Sequence, residues 1–226
     1  PGLSYETLLD ETRREKTLGR AERSGALAQK LMDAPSFPAG SYRLLIDYAL
    51  AKGLAHEAFG HAAESDGLDA SILGDAGRFR AGEKFGGANV TIVDEPLAGD
   101  NAYQPYSGNG VPRRRAVILD KGVLREALSD VHTAGRAGTA LTGAARQSSF
   151  AHVPIPRMSN IRIEVEDPYP VPEGKDFHEW TPEEVRDLLV KAGDLREGET
   201  IVFLSGYRGG QVNPALGDFV FHSTAL

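Results

Sequence analysis

Two histidines and a glutamate stand close together in the segment HEAFGHAAESD, which runs from His56 to Asp66. Imidazole nitrogens and carboxylate oxygens are zinc ligands, and a bound zinc ion activates water for hydrolysis. The best-known zinc-protease motif places its histidines at i and i+4, on one face of a helix, with the glutamate beside them. Here His56 and His61 are at i and i+5, and a regular α-helix would separate their directions by about 140°.

A local π-helical turn would bring these two histidines together. At roughly 4.4 residues per turn their directions differ by only about 50°, and such turns are frequent at functional sites. Gly60 precedes the second histidine and favours the distortion, because it has no Cβ to crowd a widened turn. Glu64, at i+3 from His61, is placed to accept a hydrogen bond from that histidine or to bind the same metal. The alternative is an ordinary alanine-rich helix whose histidines and acidic residues face solvent.

Composition narrows the classes of function. A chain of 226 residues suffices for one large domain or two small ones. Its formal net charge of -7 argues against nucleic-acid binding, and the run from Arg113 to Arg115 predicts only the exposed start of a strand. We find no apolar run of about 20 residues and no signal-peptide pattern, so we expect no membrane segment and a cytoplasmic location. The absence of cysteine excludes disulfides and thiolate ligands within these residues.

The N-terminal part predicts helices that lead up to the motif. Residues 3–33 carry leucines among many charges and predict one or two amphipathic helices. Pro35 and Pro38 then break the helical pattern. An apolar run at residues 44–46 and a helix-forming stretch from Tyr48 follow. This context predicts that the motif lies on a packed helix.

After Asp66, short apolar segments alternate with glycine-rich turns, a pattern typical of strands joined by tight connections. The segments that predict strands are 88–94, 116–119 with 123–124 as a hairpin, 159–166, 201–204 and 219–221. The glycine-dense residues 133–148 predict a loop. Thr181-Pro-Glu-Glu predicts a capping box and the start of a helix that ends at Gly193. We therefore predict an α+β fold, predominantly antiparallel sheet with N-terminal helices and a metal-motif helix.

The metal motif and two later segments together resemble the TldD/PmbA family of metalloproteases, specifically its TldD (HExxxH) type. The later segments are FAHVPIPRMSN at residues 150–160, and GGQVN at 209–213 with FVF at 219–221. They follow in the family's order, and a hairpin is expected before them at 117–124. We therefore expect a helical N-terminal segment at residues 1–34 and a TldD-like C-terminal domain at 35–226.

This resemblance implies zinc-dependent hydrolysis of short or unfolded peptides and peptide precursors. It implies His56 and His61 as zinc ligands and Glu57 as the general base that takes a proton from the bound water. It also implies a heterodimer with a PmbA/TldE-like subunit, with a homodimer as the other expectation. His152 and Arg157 lie in the second matching segment and are candidates for substrate binding. The alternatives are a structural hydrogen bond for His152 and an ion pair for Arg157.

The chain departs from the family pattern at one point of the metal site. In the family a cysteine well beyond the second histidine completes the site, and this sequence contains none. The expectation is a truncated chain with two histidine ligands, unless Glu64, His152 or solvent takes the third position. Two alternatives to a peptidase follow, a non-catalytic partner subunit and a peptide-binding domain. We expect an extended peptide substrate to pair with a strand edge near residues 206–210, with a tight strand connection as the alternative for these glycines.

Overall fold

One long helix dominates the N-terminal part of the computed structural model, which describes residues 5, 9–100, 102–168, 181–207, 209–213, 216 and 218–225. The chain divides into two compact units, Pro1–Ser41 and Tyr42–Leu226. In the first unit, helix α1 (Glu11–Met32) starts at Asp10, whose side chain accepts a backbone N–H of the first turn. None of the helix residues is buried. The domain boundary expected after residue 34 stays a prediction.

Short strands and irregular turns make up most of the second unit. Strand β1 (Leu44–Ile46) is followed by helix α2 (Tyr48–Leu54), which leads into the metal motif. The later elements, in chain order, are a 3-10 turn (Leu68–Ala70), β2 (Gly74–Asp75), β3 (Arg78–Phe79), β4 (Val90–Asp94), β5 (Ala116–Asp120), β6 (Val123–Leu124), α3 (Ala134–Ala137), β7 (Ala145–Arg146), β8 (Ile155–Pro156), β9 (Ile161–Val165), α4 (Pro182–Ala192), β10 (Val202–Ser205), β11 (Gly210–Asn213), β12 (Asp218–Phe221) and β13 (Thr224–Ala225). Residues 133–148, predicted as a loop, therefore include a short helix and a strand.

A four-stranded antiparallel sheet, in the order β6-β5-β4-β9, lies at the centre of this unit. Strand β4 pairs with β5 on one side and with β9 on the other, where Ile92 lies opposite Ile163. The predicted hairpin is confirmed, since β5 turns into β6 through Lys121 and Gly122, both with positive φ. The sheet shares one apolar core with the end of the metal motif. Buried members of this core are Ala62, Ala63, Leu68, Leu73, Phe79, Ile92, Ala116, Ile118, Leu119, Leu124, Ala127, Leu128, Ala137, Ala144 and Met158.

A second sheet places β10 between β1, which is parallel to it, and β13, which is antiparallel. Helix α4 begins as predicted, with Thr181 as its N-cap, Pro182 in its first turn and Glu184 completing the capping box. The predicted α+β class with mostly antiparallel sheet is confirmed, and the pairing of β1 with β10 is a parallel exception. Within the described ranges, no helix is long and apolar enough to cross a membrane.

The expected exposed arginine run is wrong for Arg113. Its side chain is buried, with Nη2 3.4 Å from Asp94 Oδ2 and donating to the Arg157 carbonyl oxygen at 2.8 Å. Arg114 and Arg115 are exposed, and each forms an ion pair with a glutamate. These arginines therefore hold neighbouring segments of the chain together, which accords with the argument against a phosphate site.

Candidate metal centre

The metal motif lies on a helix that changes its geometry. Helix α2 passes into a π-helical turn (Ala55–Gly60) and then into a 3-10 turn (His61–Ala63). The His61 N–H bonds to the His56 carbonyl oxygen, five residues back, which is the contact that defines a π-turn. The two imidazole rings have centroids 4.7 Å apart and planes inclined by 88°. The predicted π-turn is therefore confirmed, and it brings the histidines together.

Three side chains of the motif form a cluster of possible metal ligands. One ligand atom each of His56, Glu57 and His61 lies within 4.8 Å of the other two. His56 is exposed, His61 is half-buried and Glu57 is buried. In the part of the chain that the structure describes, neither Glu64 nor His152 belongs to such a cluster. The arrangement offers two imidazole nitrogens and a carboxylate oxygen to one small volume.

Gly60 is required by a neighbour rather than by the shape of the turn. Its dihedral angles are helical, with φ −62° and ψ −62°, so any residue could adopt them. However, a Cβ at this position would lie 1.9 Å from Met158 Sδ and 3.1 Å from Ile161 Cδ1. The physical reason expected from the sequence therefore changes. Glycine lets the π-turn pack directly against the segment that leads into β9.

Tyr207 holds the motif glutamate and was not anticipated from the sequence. Its hydroxyl donates to Glu57 Oε1 at 3.1 Å, whereas Glu57 Oε2 lies 4.0 Å from His61 Nε2. Burial, together with the neighbouring carboxylate, raises the pKa of Tyr207, so its hydroxyl stays protonated. Gly53 makes room for the ring, since a Cβ there would lie 2.7 Å from Tyr207 Cε2. The string GYRGG around Tyr207 indicated a turn or a strand edge for peptide pairing, but no contact with Glu57.

Asp47 fixes both the motif helix and the segment that carries Tyr207. It caps α2 by accepting the Leu50 N–H at 2.8 Å. Its other oxygen accepts the Gly206 N–H at 2.6 Å and the Ser205 hydroxyl at 3.1 Å. The side chain is almost fully buried, so its charge is compensated by these donors. An aspartate before a helix indicates an N-cap, but the contacts across the chain leave no local signal in the sequence.

Glu64 links the second histidine to one of the predicted substrate residues. Its Oε2 lies 3.1 Å from His61 Nδ1 and accepts a hydrogen bond from Arg157 Nη1 at 3.0 Å. Arg157 Nη1 is also 3.5 Å from Asp66 Oδ2. Carboxylates that orient a ligand histidine in this way are common around metals. Arg157 therefore forms the carboxylate ion pair that was its alternative role, and Glu64 accepts from His61.

The two histidines differ in their electrostatic environment. The hydrogen bond with Glu64 raises the pKa of His61 above its ordinary value. His56 is exposed only in part, and the desolvation of its ring lowers its pKa, with the positive charges of His61 and Arg146 acting in the same direction. His56 is therefore favoured as a neutral imidazole, the form that binds a metal. His61 keeps Nε2 on the side of Glu57 while Nδ1 is engaged with Glu64.

His152 lies beside the metal motif's ion-pair network in a separate cavity. Its Nδ1 is 2.7 Å from the Ser149 hydroxyl, and its side chain is exposed. A cavity of about 590 Å³ is lined by His152 together with Arg157 and Arg146. The structure thus brings both predicted substrate residues to one cavity, although each already has a partner within the chain.

A cleft leads to His56 between helix α2 and strand β9. Its volume is about 670 Å³. The α2 side contributes residues spaced by three or four along one helix face, and the other side contributes five consecutive residues. The lining residues are Tyr48, Ala51, Lys52, His56, Leu97, Asp100, Ser159, Asn160, Ile161, Arg162 and Ile163. Three residues of this run, 161–163, belong to β9, and their successive side chains point to opposite faces of the strand.

Comparisons with known proteins assign the family of this domain. Residues 39–226 match the family model described as PmbA/TldA metallopeptidase C-terminal domain. A relative from Archaeoglobus fulgidus, described as a metalloprotease, is 35% identical over 196 residues. The match covers 86% of this chain and 40% of the relative. The chain therefore belongs to the PmbA/TldD family.

Two further similarities concern zinc and a second family member. A protein of Saccharolobus solfataricus, described as a zinc metalloprotease TldD homolog, is 28% identical over 54% of this chain and 27% of its own length. The crystal structure of TldE from Thermococcus kodakarensis matches 82% of this chain and 38% of that one, with a TM-score of 0.53 and 21% identity. This structural match supports the fold alone. The chain spans less than half the length of each relative.

Proposed function

We propose that this chain carries the catalytic site of a zinc-dependent peptidase that acts on short or unfolded peptides and peptide precursors. The observation that supports this most is the approach of His56, Glu57 and His61 to within 4.8 Å on a π-helical turn. A regular helix would not assemble that cluster. Membership in a metallopeptidase family gives the cluster its chemical context.

The chain's own residues fit a zinc ion. His56 is favoured in its neutral form, and His61 has Nδ1 engaged with Glu64, so its Nε2 is the nitrogen available to a metal. Such a carboxylate partner is typical of histidines that bind zinc. The cysteine that the family resemblance implies as a third ligand is absent from these residues. Bound by the two histidines, zinc would supply Lewis-acid activation of water.

Glu57 is the residue we place at the proton transfer. Tyr207 holds its Oε1, which leaves Oε2 as the oxygen nearer to His61. A carboxylate held in this way accepts the proton of the attacking water and then delivers it to the leaving amine. Its burial keeps competing solvent away from the held oxygen. Tyr207 acts here as a positioning residue.

Extended peptides fit the cleft beside β9. Among the described strands, β9 pairs only with β4, so its other edge has no strand partner. Residues 161–163 of β9 line the cleft that also contains His56. A peptide added as a further strand would be held through its backbone, which suits substrates without a fixed sequence. The peptide-pairing position expected near residues 206–210 stays a prediction.

A PmbA/TldE-like subunit is the partner we propose, with a homodimer as the alternative. The match to a structure called TldE supports the shared fold of the two subunit types. The cytoplasmic location expected from the sequence also stays a prediction. The alternative function, a non-catalytic subunit or peptide-binding domain, predicts peptide affinity without cleavage.

The decisive experiment uses the complete reading frame that encodes this chain, with and without a PmbA/TldE-like partner. Glu57→Gln should retain zinc while peptide cleavage falls by about 10²- to 10⁴-fold, as expected for loss of a general base. His56→Ala combined with His61→Ala should lose zinc as measured by elemental analysis. Glu83→Gln, which alters an exposed ion pair with Arg80, serves as the matched control. Unchanged cleavage by Glu57→Gln, or purified protein that binds no zinc, would refute the proposal.

A further inference from the structure

The cavity beside the metal motif has positively charged walls. It lies between the end of strand β7 and the start of β8 and has a volume of about 590 Å³. Its lining residues are Arg146, Gln147, Ser148, His152, Val153, Ile155 and Arg157. None of these seven carries an acidic side chain. Such a lining favours an anionic group over a cationic or purely apolar one.

The basic side chains of this cavity are not equivalent. Arg157 is neutralised by Glu64 and Asp66, and His152 is engaged with the Ser149 hydroxyl. Arg146 differs, because within the described ranges its side chain forms no ion pair and no hydrogen bond. An unpaired guanidinium at a cavity wall offers two parallel N–H donors to one carboxylate.

Arg146 is also close to the metal motif. In the β7–β8 pair, Arg146 lies opposite Ile155. Ile155 is followed by Pro156 and then by Arg157. The same Glu64 oxygen that accepts from Arg157 contacts His61. The cavity and the histidine cluster therefore share one ion-pair network, and the charge of Arg146 acts on His56. One extended peptide would have to contact both Arg146 and the histidine cluster.

We propose that Arg146 binds a carboxylate of the peptide substrate in this cavity. The inference rests on the proposed peptidase function and narrows its substrates to peptides that present a carboxylate near the scissile bond. That carboxylate is either the C-terminal α-carboxylate or an Asp or Glu side chain. The role given to Arg157 from the sequence thus passes to its neighbour in the cavity, since Arg157 is already paired.

Peptide binding to the Glu57→Gln variant of the complete protein tests this without cleavage. The probes are N-terminally dansylated hexa-alanine with a free C-terminus, the same peptide as a C-terminal amide, and the amide with one internal aspartate. Fluorescence anisotropy measures the dissociation constant of each peptide. The proteins are the Glu57→Gln parent and its derivatives with Arg146→Ala, Arg146→Lys or, as the control, Arg125→Ala. Arg125 is an exposed arginine paired with Asp120 on the β5–β6 hairpin.

We expect the free acid to bind the parent at least ten-fold more tightly than the amide, and Arg146→Ala to remove that difference. Arg146→Lys should retain part of it, and Arg125→Ala all of it. Recovery of affinity by the aspartate peptide, with the same dependence on Arg146, would show that a side-chain carboxylate also binds this site. Equal binding of all three peptides, or a preference unaffected by Arg146→Ala in a folded variant, would overturn the inference.

The peptidase proposal is tested separately by cleavage in the unsubstituted protein. Carboxylate-dependent binding without any cleavage would refute the peptidase and leave the Arg146 site standing. Cleavage without any preference for a carboxylate would refute the Arg146 site and leave the peptidase proposal standing. Circular dichroism and thermal unfolding of each variant establish that it is folded before its affinity is compared.

Discussion

The two helical regions at the start of the chain are stabilised in different ways. Helix α1 is a long regular α-helix with an aspartate N-cap, an acidic first turn and Lys30 in its last turn, and none of its residues is buried. The motif helix passes through α, π and 3-10 geometry, and much of its motif segment is buried. Local rules account for the first. The second depends on what packs against it, and it carries the candidate site.

Glycines show this difference most directly. In α1, a Cβ at Gly25 would meet no atom within 4 Å, so glycine has no packing role there. In the motif helix, a Cβ at Gly53 would meet the Tyr207 ring, and one at Gly60 would meet Met158. Irregular helical geometry at the metal motif is thus accompanied by neighbours that leave no room for side chains. The same substitution should therefore have opposite effects in the two regions.

The largest effect is expected from Gly60→Ala. The new Cβ would overlap Met158 Sδ, a buried atom in the middle of its side chain, at 1.9 Å. Overpacking of this kind costs about 1–3 kcal/mol, and we expect the upper end. Urea unfolding of the chain, monitored by circular dichroism, measures the loss of stability. Zinc affinity should fall as well.

A double-mutant cycle with Met158→Ala tests the cause of that loss. Removing the sulfur should make the double variant less destabilised than the sum of the two single variants, because the obstructing atom is gone. Additive losses would mean that Gly60 is needed for another reason, such as backbone conformation. The comparison between the two helices would then lose its physical basis.

Features set by local sequence patterns could be predicted from the sequence, whereas those set by distant contacts could not. The i, i+5 spacing of His56 and His61 predicted the π-turn on the assumption that both histidines face one ion, with an ordinary helix as the alternative. The capping box at Thr181 and the β5–β6 hairpin were likewise local patterns. Tyr207 was not predictable, because it reaches Glu57 across 150 positions of sequence. The burial of Arg113 also depends on such distant contacts.

Tyr207→Phe tests the contact that holds the motif glutamate from outside the helix. Loss of the hydroxyl leaves Glu57 Oε1 without its donor, which should lower the free energy of unfolding by about 1 kcal/mol. If Glu57 is the general base, kcat should fall about ten-fold with KM and zinc content little changed. Tyr106→Phe, at a tyrosine that is 61% exposed, is the control. A change in KM alone would assign Tyr207 to substrate binding.

The pH dependence of the metal-free chain should separate the two histidines. The pKa of His61 is raised by Glu64, so its contribution to stability is fully present below the unfolded pKa of about 6.5 and is lost as pH rises through the folded value. The pKa of His56 is lowered, so that histidine destabilises the fold as pH falls below about 6.5.

Unfolding of the metal-free chain measured at pH 6 and pH 8 checks these signs. His61→Gln should lose more stability at pH 6 than at pH 8, by an amount of the order of 1 kcal/mol for a partly exposed charged hydrogen bond. Compared with the unsubstituted chain, His56→Gln should be more stable at pH 6 than at pH 8. Identical pH profiles for the two variants would show that burial and Glu64 do not distinguish the histidines.

The smallest effect, and the one of opposite sign, is expected from Gly25→Ala in α1. Glycine in the middle of a helix costs roughly 0.5–1 kcal/mol relative to alanine, and the new methyl group would meet no neighbour. Amide hydrogen exchange should therefore slow about two- to five-fold across α1 and remain unchanged in the motif helix. Exchange that instead becomes faster in α1 would mean that Gly25 has a packing partner in solution. In that case α1, like the motif helix, would depend on contacts beyond its own turns.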